Sequence, residues 1–204
     1  MDRFIRSGIA AAVIGGMLLA AGASLMLVPP AHQQFSDQAV TGIFAVSSTL
    51  RFTAAILMTR GIISLYLAQA DRAGRLGLIA VVACLVNMAL QGGWIFTDLF
   101  AAPSFAQAAP QVLNGDTPGR LAVGFMAAWL ANISFVLLGI ATLRARVLPK
   151  TCGIALTISA AITLVPLPVD QPAYEVIIGI AFALAGVSAL TGRTRAPLAA
   201  ASPT

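Results

Sequence analysis

The sequence predicts an all-α polytopic membrane protein, a six-transmembrane-helix bundle with both termini in the cytoplasm (N-in/C-in). Three observations predict it. The chain is 59% hydrophobic and 9% charged, with a mean hydropathy of +0.92, which excludes a soluble globular chain and a disordered one. Six apolar stretches approach the ~20 residues that cross a bilayer: Gly8–Val28, Thr49–Gln69, Leu76–Phe96, Leu121–Leu143, Cys152–Leu167 and Tyr174–Leu190. The basic residues fall between alternate stretches. Arg3, Arg6, Arg72, Arg75, Arg144, Arg146, Lys150, Arg193 and Arg195, nine of twelve, share one side, which the positive-inside rule assigns to the cytoplasm. The alternating ~10-residue segments of a spanning β-barrel are not present in the sequence.

The expected layout is one membrane domain, residues 1–193, followed by a disordered cytoplasmic tail, residues 194–204. Met1–Ser7 is basic and Ala21-Gly22-Ala23 resembles a signal-peptidase site. The apolar run continues through Leu25–Val28, beyond a signal sequence, so the first helix is read as retained. Small residues recur in it every four positions, at Gly8, Ala12, Gly16, Ala20 and Ser24. That spacing lets helix backbones approach closely, either inside the bundle or across a homodimer or other membrane-protein interface.

The second helix places Thr49, Thr53, Arg60 and Ser64 on one face. Arg51 is about half a turn out of phase with Arg60 and is expected near the outer interface, snorkelling to phosphates. The third helix aligns Asn87, Gln91, Trp94 and Asp98, and in the fourth Trp129 lies one turn before Asn132. The fifth is short and ends or kinks at Pro166 and Pro168. Within the outer loop Asp98–Gly119, Phe105–Leu113 is expected to form a short surface helix.

Arg60 lies nine residues from Gln69, ~14 Å from the helix end and near the centre of a ~30 Å core. A guanidinium there costs at least ~2.5–3.5 kcal/mol and normally faces a cavity or partner. Asn87 and Asn132 fall at similar depth. Together Arg60, Asn87, Gln91, Trp94, Trp129 and Asn132 outline a polar ligand-binding pocket with two indole walls. The competing expectation is that the amides are interhelical ties that hold the fold.

Catalytic constellations are scarce. No Ser-His-Asp set, HExxH motif or phosphate-cradling glycine loop occurs. Asp98, Asp170 and Glu175, taken as outer-loop residues, are the only acid/base candidates. The absence of acidic or histidine relays from the predicted spans counts against proton-coupled transport. Cys84 and Cys152 are expected as free apolar thiols. His32, the single histidine, is expected to be solvated, and no metal site or cofactor is indicated. Although the net charge is +5, its distribution speaks for the lipid bilayer as partner and against nucleic acid.

The segments GIISLYLAQADRAGRLGL (Gly61–Leu78), GIATLRARVLP (Gly139–Pro149) and AAPSFAQAAPQVL (Ala101–Leu113) resemble a broad group of bacterial multipass membrane proteins of unknown function. The resemblance covers most of the chain and implies six helices in a bacterial inner membrane. It implies no activity. The leading functional expectation is a non-catalytic inner-membrane protein that binds a lipid-like or amphiphilic molecule, as part of a larger assembly or alone. The alternatives are an intramembrane enzyme acting on a lipid or isoprenoid and a purely structural or assembly protein.

Overall fold

The computed structural model describes residues 2–28, 33–115, 119–165 and 171–192. His32, Pro166, Pro168, Asp170, Arg193 and the tail from Thr194, named above, lie outside the described residues. Among the described residues every regular element is helical. The long helices are α1 (Asp2–Leu25), α3 (Gly42–Leu67), α4 (Ala70–Phe96) and α10 (Gln171–Gly192). Three short ones, α2 (Phe35–Ala39), α5 (Ala102–Ala108) and α6 (Pro110–Asn114), lie at one end of the bundle. Two more, α7 (Gly119–Leu130) and α8 (Ile133–Ala145), follow each other across a break, and α9 (Lys150–Leu164) precedes α10. A π-helical turn, Thr97–Ala101, joins α4 to α5.

Among the described residues, five helices are long and apolar enough to cross a membrane: Arg3–Leu25, Gly42–Leu67, Ala70–Ala108, Met126–Ala145 and Gln171–Gly192. The stretch expected as a fifth span, Cys152–Leu167, corresponds to α9. Its 15 residues reach about 22 Å at 1.5 Å per residue, short of a ~30 Å hydrocarbon core. Ile14, Met17, Ile56, Val82, Ile158 and Leu184 point outward and are exposed, forming the kind of extensive apolar surface that needs a non-aqueous environment.

At the centre, α1 packs on both α3 and α10. Close approach is set by small residues. A Cβ at Gly8 would strike Ser64, one at Gly61 would strike Ala12, and Gly16 and Gly179 meet backbone to backbone. Gly8, Ala12, Gly16 and Ala20 are therefore in contact within the bundle, whereas Ser24 is exposed and donates to the Ala20 carbonyl. Because lipid is as apolar as the side chains, such shape-matched contact carries much of the association. Large side chains fill the remaining core, including Ile9, Met58, Leu138 and Leu156, and Phe135 meets Phe182 edge-on at 5.1 Å.

The two ends differ. At one, Gly8 meets Ser64, Gln69 bonds Thr142 and Gly192 meets Pro149. These contacts gather the arginine-bearing segments around Arg3, Arg72 and Arg146. The other end is capped by α2, α5 and α6. Phe35 and Phe44 pack at 5.6 Å, and the Asn114 amide donates to Ser36 Oγ and Gln34 Oε1 and accepts from the Ser36 N–H. The single helix expected over Phe105–Leu113 is two helices. Ala109 (φ −152°, ψ 63°) leaves the helical region ahead of Pro110, as a pre-proline residue tends to do.

Candidate functional site

Among the described residues the most buried charge is Arg51, 4% exposed. Its Nε and Nη2 donate to Glu175 Oε2 and Oε1, both at 2.7 Å, and Nη1 donates to Asp98 Oδ2 at 3.2 Å. The Asp98 and Glu175 side chains are only 14% and 13% exposed. Trp94, one turn before Asp98, adds a hydrogen bond to the same carboxylate. The planar guanidinium suits this two-pronged recognition of Glu175.

Local sequence places each group. Thr41 caps α3 by accepting the Phe44 N–H at 3.2 Å, so the helix starts at Gly42 and Arg51 lies nine residues, about 14 Å, inside it. Glu175 is held because α10 begins at Gln171-Pro172, with proline tolerated in the first turn. Asp98 belongs to the π turn, closed by the Ala102 N–H on the Thr97 carbonyl. Such widened turns recur at functional sites. Asp98 and Glu175 are thus not the outer-loop carboxylates expected from the sequence. Both lie in membrane-length helices, which removes the argument that the spans hold no acidic group. Asp170, the third acid/base candidate, lies outside the described residues.

Arg60 is placed differently from the expectation. It is exposed on the bundle surface, donates from Nη2 to Ser7 Oγ at 2.8 Å and lies 5.4 Å from the centroid of the Phe4 ring. It does not share a cavity with Asn87 and Asn132. The physical reason is helical phase: Arg60 is about half a turn from Arg51, so with Arg51 facing the bundle interior Arg60 faces outward. With α3 spanning Gly42–Leu67, Arg60 is seven residues, about 10 Å, from its end and reaches the arginine-rich rim. Of the two arginines, Arg51 is the buried one.

The amides form a separate centre. Asn87 Nδ2 donates to Asn132 Oδ1 at 3.3 Å, with both residues buried. Asn132 lies where α7 gives way to α8. Its N–H bonds the Trp129 carbonyl, three residues back, instead of Ala128. The Ala128 carbonyl so released accepts Gln91 Nε2 at 3.3 Å. Trp129 Nε1 donates to the Thr163 carbonyl at 2.9 Å, tying the same break to α9. Asn87, Gln91, Trp129 and Asn132 therefore stabilise a helix discontinuity. Trp94 belongs to the ionic cluster.

Chemically the ionic cluster is unbalanced. Two carboxylates face one guanidinium, so the fully ionised set carries one net negative charge in a setting of low dielectric. That excess is relieved by a proton or by a cationic or hydroxyl-bearing group. Glu175 gives both of its oxygens to Arg51, whereas Asp98 gives it only Oδ2.

Fold and site together define a helical membrane protein with a buried arginine–carboxylate cluster. Comparison with protein-family models, curated proteins and solved structures gives no match.

Proposed function

We propose that this chain is a six-span, N-in/C-in bacterial inner-membrane protein, non-catalytic, that binds a lipid-like or amphiphilic molecule bearing a cationic head. The head is taken by the Arg51–Asp98–Glu175 cluster, with the Trp94 indole beside it. The observation that carries this reading is the surplus carboxylate among buried side chains. A membrane-embedded site of one net charge favours an amphiphile of opposite sign over a free solute. The positive-inside distribution supports the orientation. For the sixth span, α9 carries buried Cys152, Leu156 and Ala160 opposite exposed Ile154 and Ile158, and local bilayer thinning accommodates its length.

A second reading has its own support. Nε, Nη1 and Nη2 of Arg51 all have carboxylate partners on other helices, as a purely structural clamp requires. Native mass spectrometry of the detergent-purified chain beside Asp98→Asn and Arg60→Leu separates the two. Binding predicts a discrete cationic amphiphile on wild type and Arg60→Leu, lost from a still-folded Asp98→Asn. Three empty proteins would leave the clamp.

A further inference from the structure

At the arginine-rich end, the α3–α4 turn and the end of α8 form an open surface cavity of about 340 Å³ lined by Ala68, Gln69 and the exposed Asp71, Arg72, Arg146 and Val147. The volume falls within the ~300–1,000 Å³ of small-molecule sites. Arg51 lies eighteen residues from Gln69 along the same polypeptide, so this is a different place from the ionic cluster.

The lining is polar in a specific way. Gln69 is 2% exposed. Its Nε2 donates to Thr142 Oγ1 at 2.9 Å, but its Oε1 is buried and has no hydrogen-bond partner. Such an orphaned acceptor is costly and calls for an explanation. One turn beyond Thr142, Arg146 adopts φ 53°, ψ 26° at the helix end. Glycine or asparagine normally takes that left-handed position because a Cβ disfavours it. Arg72 and Asp71 sit in the single turn of helix before Gly74, whose φ of 57° suits glycine. Among the described residues Arg72, Arg146 and Asp71 form no ion pair.

We infer that this cavity binds a phosphate carrying an adjoining ammonium, the chemistry of a phosphoethanolamine group. Arg72 and Arg146 take the phosphate oxygens, as guanidinium groups do. The Asp71 carboxylate accepts from the ammonium. The group comes either from a membrane lipid or from a soluble phosphodiester, and the cavity's position at the helix ends matches the headgroup layer.

The test is a native mass spectrometry titration of the full chain with phosphatidylethanolamine, phosphatidylglycerol and soluble glycerophosphoethanolamine. The variants are Arg72→Gln/Arg146→Gln, Asp71→Asn, Arg146→Gly, and the control Arg75→Gln/Arg144→Gln, which removes equal charge outside the cavity. Wild type should prefer the ethanolamine lipid to the glycerol lipid. The cavity pair should weaken both lipids at least about tenfold, as expected for losing charge-assisted hydrogen bonds, with the control pair little changed. Asp71→Asn should abolish the preference. Arg146→Gly should lose affinity while raising the unfolding midpoint, because glycine relieves the left-handed backbone. Equal binding of the soluble compound identifies a free phosphodiester as ligand; its failure beside lipid binding identifies a headgroup. Equal losses in both arginine pairs, or no ethanolamine preference in wild type, would overturn the proposal in favour of diffuse surface charge.

Discussion

Arg51 and Arg60 stand nine residues apart on α3 and differ completely in environment. One is locked between Glu175 and Asp98, the other lies on the surface against Ser7 and Phe4. Their contrast yields two residue-scale predictions. Asp98→Asn should leave stability unchanged or raise it, because it removes the surplus carboxylate while keeping a hydrogen-bond acceptor. Glu175→Gln should cost about 2 kcal/mol by weakening the bidentate, charge-assisted pair. Unfolding free energies in detergent check both. A large loss in Asp98→Asn would contradict the charge account. The sequence pattern made the α4 stripe Asn87–Gln91–Trp94–Asp98 legible, since helical spacing is local. It did not make legible that Asp98 meets Arg51 and Glu175, a partnership spanning 124 residues. Two local signals were available: Thr41 as a cap for a helix starting at Gly42, and Pro172 opening the helix that holds Glu175.

At the scale of elements, the break between α7 and α8 is the feature hydropathy conceals. Leu121–Leu143 reads as one apolar helix, because a change from four-residue to three-residue hydrogen bonding leaves hydrophobicity untouched. The polar residues around it explain how a discontinuity is tolerated away from water: Gln91 takes the released Ala128 carbonyl and Asn87 pairs with Asn132. Gln91→Ala should therefore destabilise by about 1 kcal/mol, the value of one buried hydrogen bond. A double-mutant cycle on Asn87 and Asn132 should give a coupling of about 0.6–1.7 kcal/mol, the range for interhelical polar pairs in membranes. Zero coupling would mean that the two amides do not interact. Close contacts are equally decisive. Gly179→Val forces a side chain into the Gly16 and Ala20 backbone and should cost about 1–3 kcal/mol as overpacking, measured by the same unfolding assay.

For the whole molecule, composition and charge distribution made the helical membrane class legible, because apolar length and the placement of arginines are properties of segments. The short α9 was harder, since a stretch of suitable hydropathy can still stop at Leu164. Orientation is checked by impermeant maleimide labelling of intact cells, using Arg75→Cys and Gly115→Cys. Cys84 and Cys152 are buried and should stay silent. The proposed topology predicts labelling at position 115 and not at 75; the reverse would invert it. The account rests most on Arg51 as the charge that joins α3, the π turn after α4, and α10 into one bundle. The measurement that tests this most directly is the unfolding free energy of Arg51→Met beside Arg60→Met. Loss of about 3–5 kcal/mol in Arg51→Met, as expected when a buried pair loses one partner, with Arg60→Met near wild type, is the predicted result. Equal stability of the two variants, or a larger loss in Arg60→Met, would contradict it.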